Sequence, residues 1–468
     1  MGADQEQAMA ALAMAARAAE DYRRGIAVAE RTPTALYAEM MAAFAGPLPE
    51  APGDAGAIIG DLVARATPGI RASTSPRFFG WVIGNSHPTG VAADWLVSAW
   101  GQNAGNILAA PAASAIEAVA AAWLLDLLGL PRESSVGFVT GATVANYVCL
   151  AAARSEVLRR AGWDLEADGM AGAPPIRILI GADAHATVHL GLRYLGFGTR
   201  QLVPIATDDM GRMRPDALET ALAGGRGPTI VIAQSGQINT GASDPFAAIA
   251  PIARTRGAWL HVDGAFGMWA QAAPQRAHLT AGIELADSWG TDGHKWLQTP
   301  YDSGFAIVRD KAAHARAMAI SASYLPAAGE AERDPSAYVP ELSRRARGIP
   351  AWAMIRQLGR AGVAELVERN CRVAAAMAAS IAEEPGVELV CPVELNQFML
   401  RFGDSDDLTL ATVARIQADG VAFMGSTQWR GRWALRCSVC SDATTDAEGA
   451  KAVEAVKAAW RAVRATHG

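Results

Sequence analysis

The sequence predicts an α/β protein built on a mostly parallel sheet flanked by helices. Three observations predict it. Residues 177–181, 229–233 and 259–263 are short, almost continuous apolar runs, rich in β-branched side chains and bounded by turn residues. Such runs suit strands covered on both faces. Helical periodicities at 90–100, 112–128 and 144–160 precede these runs, and strand alternating with helix argues for a layered α/β sheet. Finally, 51% of the 468 residues are hydrophobic, enough for a large core spread over two or three regions.

The elements follow in order. Residues 1–75 form a helical N-terminal segment. Alanines and charges recur at helical spacing over 1–30, and a further helix is expected at 57–66. Residues 76–350 make the large domain. An apolar strand at 136–140 opens it, and a reversed strand is expected at 303–308. Residues 326–340 are polar and proline-bearing, which predicts a mobile loop. Residues 351–468 read as an α+β domain: a helix at 352–382, strands at 387–390, 398–402 and 434–439, then a helix at 445–465.

Charge and composition exclude some functions. A net charge of −6 and a pI near 5.8 give no basic face for nucleic acid. The opening Met-Gly-Ala-Asp-Gln-Glu lacks the basic-then-apolar layout of a secretory leader, and Glu6 argues against myristoylation. Asp126 interrupts the longest apolar run, which therefore reads as a buried helix and not a membrane span. The five cysteines include Cys437-Ser-Val-Cys440 in strand-like sequence, with no second pair to complete a metal site. A structural role in a reducing cytoplasm is the simplest expectation.

The chemistry centres on Asp287-Ser-Trp-Gly-Thr-Asp-Gly-His-Lys-Trp-Leu297. Packing explains a lysine there poorly, because an unpaired buried ammonium costs on the order of several kcal/mol. A lysine whose pKa is lowered becomes a nucleophilic amine suited to Schiff-base chemistry. Three upstream segments complete a site. Gly141-Ala142-Thr143 ends a strand and opens a helix, where backbone N–H groups and a hydroxyl suit a phosphate; an ordinary capped turn looks the same. His185, in Asp183-Ala-His-Ala-Thr187, falls at a strand's carboxyl end, where an imidazole can stack on an aromatic ring; a polar-surface or core histidine is the alternative. Asp263, in His261-Val-Asp-Gly-Ala265, suits a protonated pyridine nitrogen, and small Ala265 leaves room for a ring. A helix N-cap is the alternative for the aspartate.

This order of motifs resembles the group II pyridoxal-phosphate-dependent amino acid decarboxylases, which include the aromatic amino acid, histidine and glutamate enzymes. The likeness runs from about residue 75 to 362. It includes Ser75-Pro-Arg-Phe-Phe79, Ala110-Pro-Ala-Ala-Ser-Ala-Ile-Glu117 and Ser343-Arg-Arg-Ala-Arg347. The resemblance implies the fold type I transferase-like architecture and a homodimer with shared active sites. It implies that Lys295 carries pyridoxal 5'-phosphate as a Schiff base, that Asp263 pairs with the ring nitrogen, and that His185 and Ala265 lie on the two ring faces. Ala142, Thr143 and His294 would hold the phosphate, and Asn239 would border the cofactor. Asp292 stands where some relatives use an amide against the phosphate. In the family a tyrosine on a mobile loop often reprotonates Cα; Tyr338 is the candidate here.

The implied reaction is decarboxylation of an L-amino acid to an amine and CO2. Gly80-Trp-Val-Ile-Gly-Asn-Ser-His87, with Gln102, Asn103 and Gly105, departs from the bulky apolar pocket of the aromatic enzymes, so a more polar substrate side chain is expected. Cα–Cβ cleavage and decarboxylation coupled to aldehyde formation remain as alternatives on the same residues. A cofactor-binding pseudoenzyme is a more distant one.

Overall fold

The computed structural model describes residues 3–29, 32–319 and 333–467. Its centre is a seven-stranded sheet: β1 (Ser135–Val139), β2 (Arg177–Gly181), β3 (Leu202–Ile205), β4 (Thr229–Gln234), β5 (Trp259–Asp263), β6 (Ser288–Asp292) and β7 (Gly304–Val308). The spatial order is β1-β7-β6-β5-β4-β2-β3. Neighbours from β6 through β3 pair in parallel, while β7 runs antiparallel to both β6 and β1. The reversed strand expected near 303–308 is thus present.

Alternation along each strand explains why these runs read as continuously apolar. On β2, β4 and β7, Leu179, Val231 and Ile307 point into one core. Ile178, Ile230 and Ala306 point into the other. Both faces are therefore buried, as a parallel sheet requires. The first core is closed by α5 (Pro111–Leu127) and by the helix Gly348–Ala382, and the second by α6 (Ala142–Arg160) and the helix Ala186–Tyr194. Before the sheet come α1 (Ala3–Gly25), α2 (Tyr37–Phe44), α3 (Ala55–Ala66), α4 (Pro88–Trp100) and α5 (Pro111–Leu127); α6 is Ala142–Arg160. Pro88 and Pro111 open α4 and α5, where a missing N–H costs nothing. Gly101, at φ 60°, ends α4 in a left-handed turn.

A second sheet, ordered β10-β11-β9-β8, is fully antiparallel: β8 (Val387–Leu389), β9 (Gln397–Phe402), β10 (Gly425–Trp429) and β11 (Arg432–Ser438). The long helix Gly348–Ala382 links the two sheets and breaks at Gly359 (φ 60°). Phe79 N donates to the Phe423 carbonyl at 2.8 Å, tying the segment before α4 to this second sheet.

The stretch 326–340 corrects an expectation. Residues 326–332 lie outside the described residues. Residues 335–338 form a short 3-10 turn packed on β1 and are not a free loop. Arg333 anchors this turn: its guanidinium binds Glu117 at 2.9 Å. Glu117 also pairs with buried Arg344 at 2.8 Å.

Candidate active site

Five strands deliver their carboxyl ends to one cavity of about 330 Å3, the usual place for a ligand on an α/β sheet. β1 leads into Thr140, Gly141, Ala142 and Thr143. β2 is followed by His185, β4 ends near Gln234, β5 ends at Asp263 and continues to Ala265, and β6 ends at Asp292 just before His294 and Lys295. Parallel pairing sets the spacing, since Asp263 stands opposite Gly290 on β6. Lys295 and Asp263 therefore share one cavity wall.

Lys295 Nζ lies 2.8 Å from Asp292 Oδ2 and 5.7 Å from the centre of the Phe266 ring. The other Asp292 oxygen accepts from the Ala142 N–H at 2.6 Å, at the first turn of α6. One buried carboxylate thus spans the lysine and a helix N-terminus. The turn is tight because a Cβ on Gly304 would meet the Gly141 backbone.

Burial pushes the Asp263 carboxyl up, and the neighbouring His185 and Lys295 charges pull it down. Its Oδ1 accepts from the Ala265 N–H at 3.3 Å. His185 caps the helix Ala186–Tyr194, its Nδ1 2.8 Å from Thr187 Oγ1, so its ring orientation is fixed. Burial lowers its pKa, with Asp263 opposing, and favours a neutral imidazole. His294 is also pushed down by burial. Its Nδ1 donates to the Ser303 carbonyl at 3.0 Å, which leaves Nε2 free to accept or to take a proton.

These residues fit pyridoxal phosphate. The N-terminal turn of α6 with Thr143 and His294 would cradle the phosphate, Lys295 would offer the amine, and Asp263 is a carboxylate set apart from both. Asp292 is the one discordant group, a carboxylate already on a cradle N–H.

Two sequence candidates lie elsewhere. Asn239 does not line the cavity; Thr427 Oγ1 donates to its Oδ1 at 2.8 Å, while its neighbours Gly236 and Ile238 form the wall. Tyr338 is also outside the wall, its ring 5.1 Å from His314 and beneath the Arg333 guanidinium. Sequence reasoning missed Tyr301, Phe266, Thr187 and Gln234, which do line it. Tyr301 stacks on His294 with ring centres 4.3 Å apart. It also missed Arg436 on β11. This guanidinium is partly buried, forms no ion pair among the described residues, and is close enough to His185 to lower its pKa. An arginine in the otherwise apolar Trp433-Ala-Leu-Arg-Cys437 was the available signal.

The model of the pyridoxal-dependent decarboxylase conserved domain matches residues 38–402. The chain is similar to the aromatic-L-amino-acid decarboxylase of Bacillus atrophaeus, 27% identical over 387 residues, which covers 79% of this chain and 78% of that one. It is 30% identical to the L-2,4-diaminobutyrate decarboxylase of Rhizobium meliloti (strain 1021) over 368 residues, covering 76% and 72%. In fold it is similar to the crystal structure of Oryza sativa TDC with PLP and tryptamine, at a TM-score of 0.90, 24% identity and 99% coverage of each chain.

Proposed function

Because the chain belongs to the pyridoxal-dependent decarboxylase family, we propose that Lys295 binds the cofactor covalently and that Asp263 holds the ring nitrogen while the protein removes CO2 from an L-amino acid. The activity is pyridoxal-phosphate-dependent amino acid decarboxylation. When bound, the cofactor supplies the electron sink for the charge left on Cα. The rest falls to this chain's residues. Asp263 would keep a proton on the ring nitrogen by charge pairing. His185 and Ala265 would confine the ring between them. Thr143, His294 and the α6 N-terminus would hold the phosphate. Arg436, near enough to His185 to lower its pKa and without an ion pair among the described residues, receives the substrate carboxylate.

The observation that carries this reading is that Lys295 and Asp263 line one cavity at adjacent strand ends. The test is to offer a panel of amino acids, including diamino acids, and to measure CO2 and the organic product together. Equal amounts of CO2 and amine are expected. An aldehyde with a shortened amino acid, and no CO2, would replace this reading with Cα–Cβ cleavage.

The substrate side chain is inferred to be polar. Thr140, Thr187, Gln234 and Tyr301 give the cavity hydrogen-bonding walls. A homodimer is also inferred. Leu12, Tyr37, Leu48, Trp100 and Leu108 are exposed apolar side chains on or near the N-terminal helices, a surface suited to a second copy. Five free cysteines, four of them buried, fit a reducing cytoplasm.

A further inference from the structure

Behind Asp263, away from the cavity, lies a set of buried polar groups that the reaction does not use. His261 and Ser288 sit opposite each other on β5 and β6, and Asn146 comes from α6. All three are fully buried. Trp259 Nε1 lies 2.9 Å from Ser288 Oγ, Ser288 Oγ lies 2.9 Å from His261 Nδ1, and His261 Nε2 lies 3.1 Å from Asn146 Oδ1. Asn146 Nδ2 makes no hydrogen bond of standard geometry; its side chain lies against Gly290, the register partner of Asp263, and favours the ionised form of that carboxyl.

Both ends fix the direction of this chain. The indole N–H can only donate, so Ser288 Oγ accepts it and keeps its own hydrogen for the next link. A carboxylate can only accept, so Asn146 turns its NH2 toward Asp263 and its carbonyl toward His261. His261 must then carry its proton on Nε2 and accept on Nδ1. Burial pushes its pKa down to about 3, so it stays neutral and keeps that single tautomer. Gly290 makes room for the chain, because a Cβ there would strike Asn146 Oδ1.

We propose that Trp259, Ser288, His261 and Asn146 form a one-way hydrogen-bond relay that orients Asp263 and keeps it ionised against the cofactor ring. His261 and Asn146 are positioning residues. The proposal rests on the pairing of Asp263 with the ring nitrogen. Each link polarises the next, and the last N–H offsets part of the burial that raises the Asp263 carboxyl.

The test uses cofactor labelled with 15N in the ring, bound to the full-length protein, with the nitrogen shift followed against pH. The wild-type ring nitrogen should be protonated through the neutral range. His261→Phe and Asn146→Ala should lower its titration midpoint by about one unit, a tenfold loss of proton affinity. His261→Gln keeps an N–H for Asn146 and should recover part of the shift. Ser288→Ala should give a smaller drop in the same direction, and it reads the relay even if the larger changes prevent folding. Circular dichroism melts check that each variant is folded. Unchanged midpoints in the folded variants overturn the relay while leaving Asp263 in place. An unprotonated ring nitrogen in the wild type overturns both.

Discussion

Asp292 holds two groups that a phosphorylated aldehyde would need: the Lys295 ammonium and the Ala142 N–H. Loading the cofactor brings a phosphate dianion beside this carboxylate, and like charges repel strongly where water is excluded. Asp292→Asn should therefore bind pyridoxal phosphate about tenfold more tightly, or ~1.4 kcal/mol, in an equilibrium titration of the apoprotein. The gain should shrink with pyridoxal, which lacks the phosphate. Asp263→Asn tests the other pole of the site. It keeps the shape and removes the charge, and kcat should fall by roughly 10^2–10^3-fold with cofactor still attached. At this scale the site was legible where a residue type carries its own chemistry. Lys295, Asp263, His185 and His294 stood out as ionisable groups at strand ends. Asn239 and Tyr338 depend on contacts no local pattern reveals. Asn239 is held by Thr427, 188 residues away, and Tyr338 by His314 and Arg333.

Strand ends and helix starts do the placing at the level of elements. β6 delivers Asp292 to the first turn of α6, and β7 returns so close that Gly304 lies on the Gly141 backbone. Backbone cannot move aside as a flexible side chain can. Gly304→Ala should cost about 1–3 kcal/mol in a urea melt and weaken cofactor binding, since it displaces the Gly141 turn proposed to cradle the phosphate. A stability change without a change in cofactor affinity would separate the cradle from this contact. The short, continuously apolar strands were readable from their composition and the helices beside them from periodicity. β3 was not, because Leu202-Val-Pro-Ile205 is four residues with a proline; it survives only as an edge strand, where the missing N–H faces no partner. The turn at Pro335–Tyr338 was read as loop because its order comes from Glu117 and β1, far off in sequence.

Across the whole molecule, acid sensitivity follows from two buried histidines. His261 and His314 are both pushed down to about 3 by burial, from an ordinary value of 6.5. Between those values the unfolded chain takes up protons that the folded chain refuses. Their neutral burial is compatible with full stability above about pH 6.5, and stability is lost as pH falls toward 3, by about 1.4 kcal/mol per unit for each histidine. Urea unfolding at pH 7 and pH 5 should show this loss, and His314→Gln should remove about half of the part due to these two. No helix among the described residues is long and apolar enough to cross a membrane. The proposed function turns on the amine of Lys295, just past the end of β6. The most direct measurement is borohydride reduction of the cofactor-loaded protein, followed by peptide mapping. The account predicts a single pyridoxyl-modified residue, Lys295, and none in Lys295→Ala; a label on Lys311, Lys451 or Lys457, or no stable label at all, would contradict it.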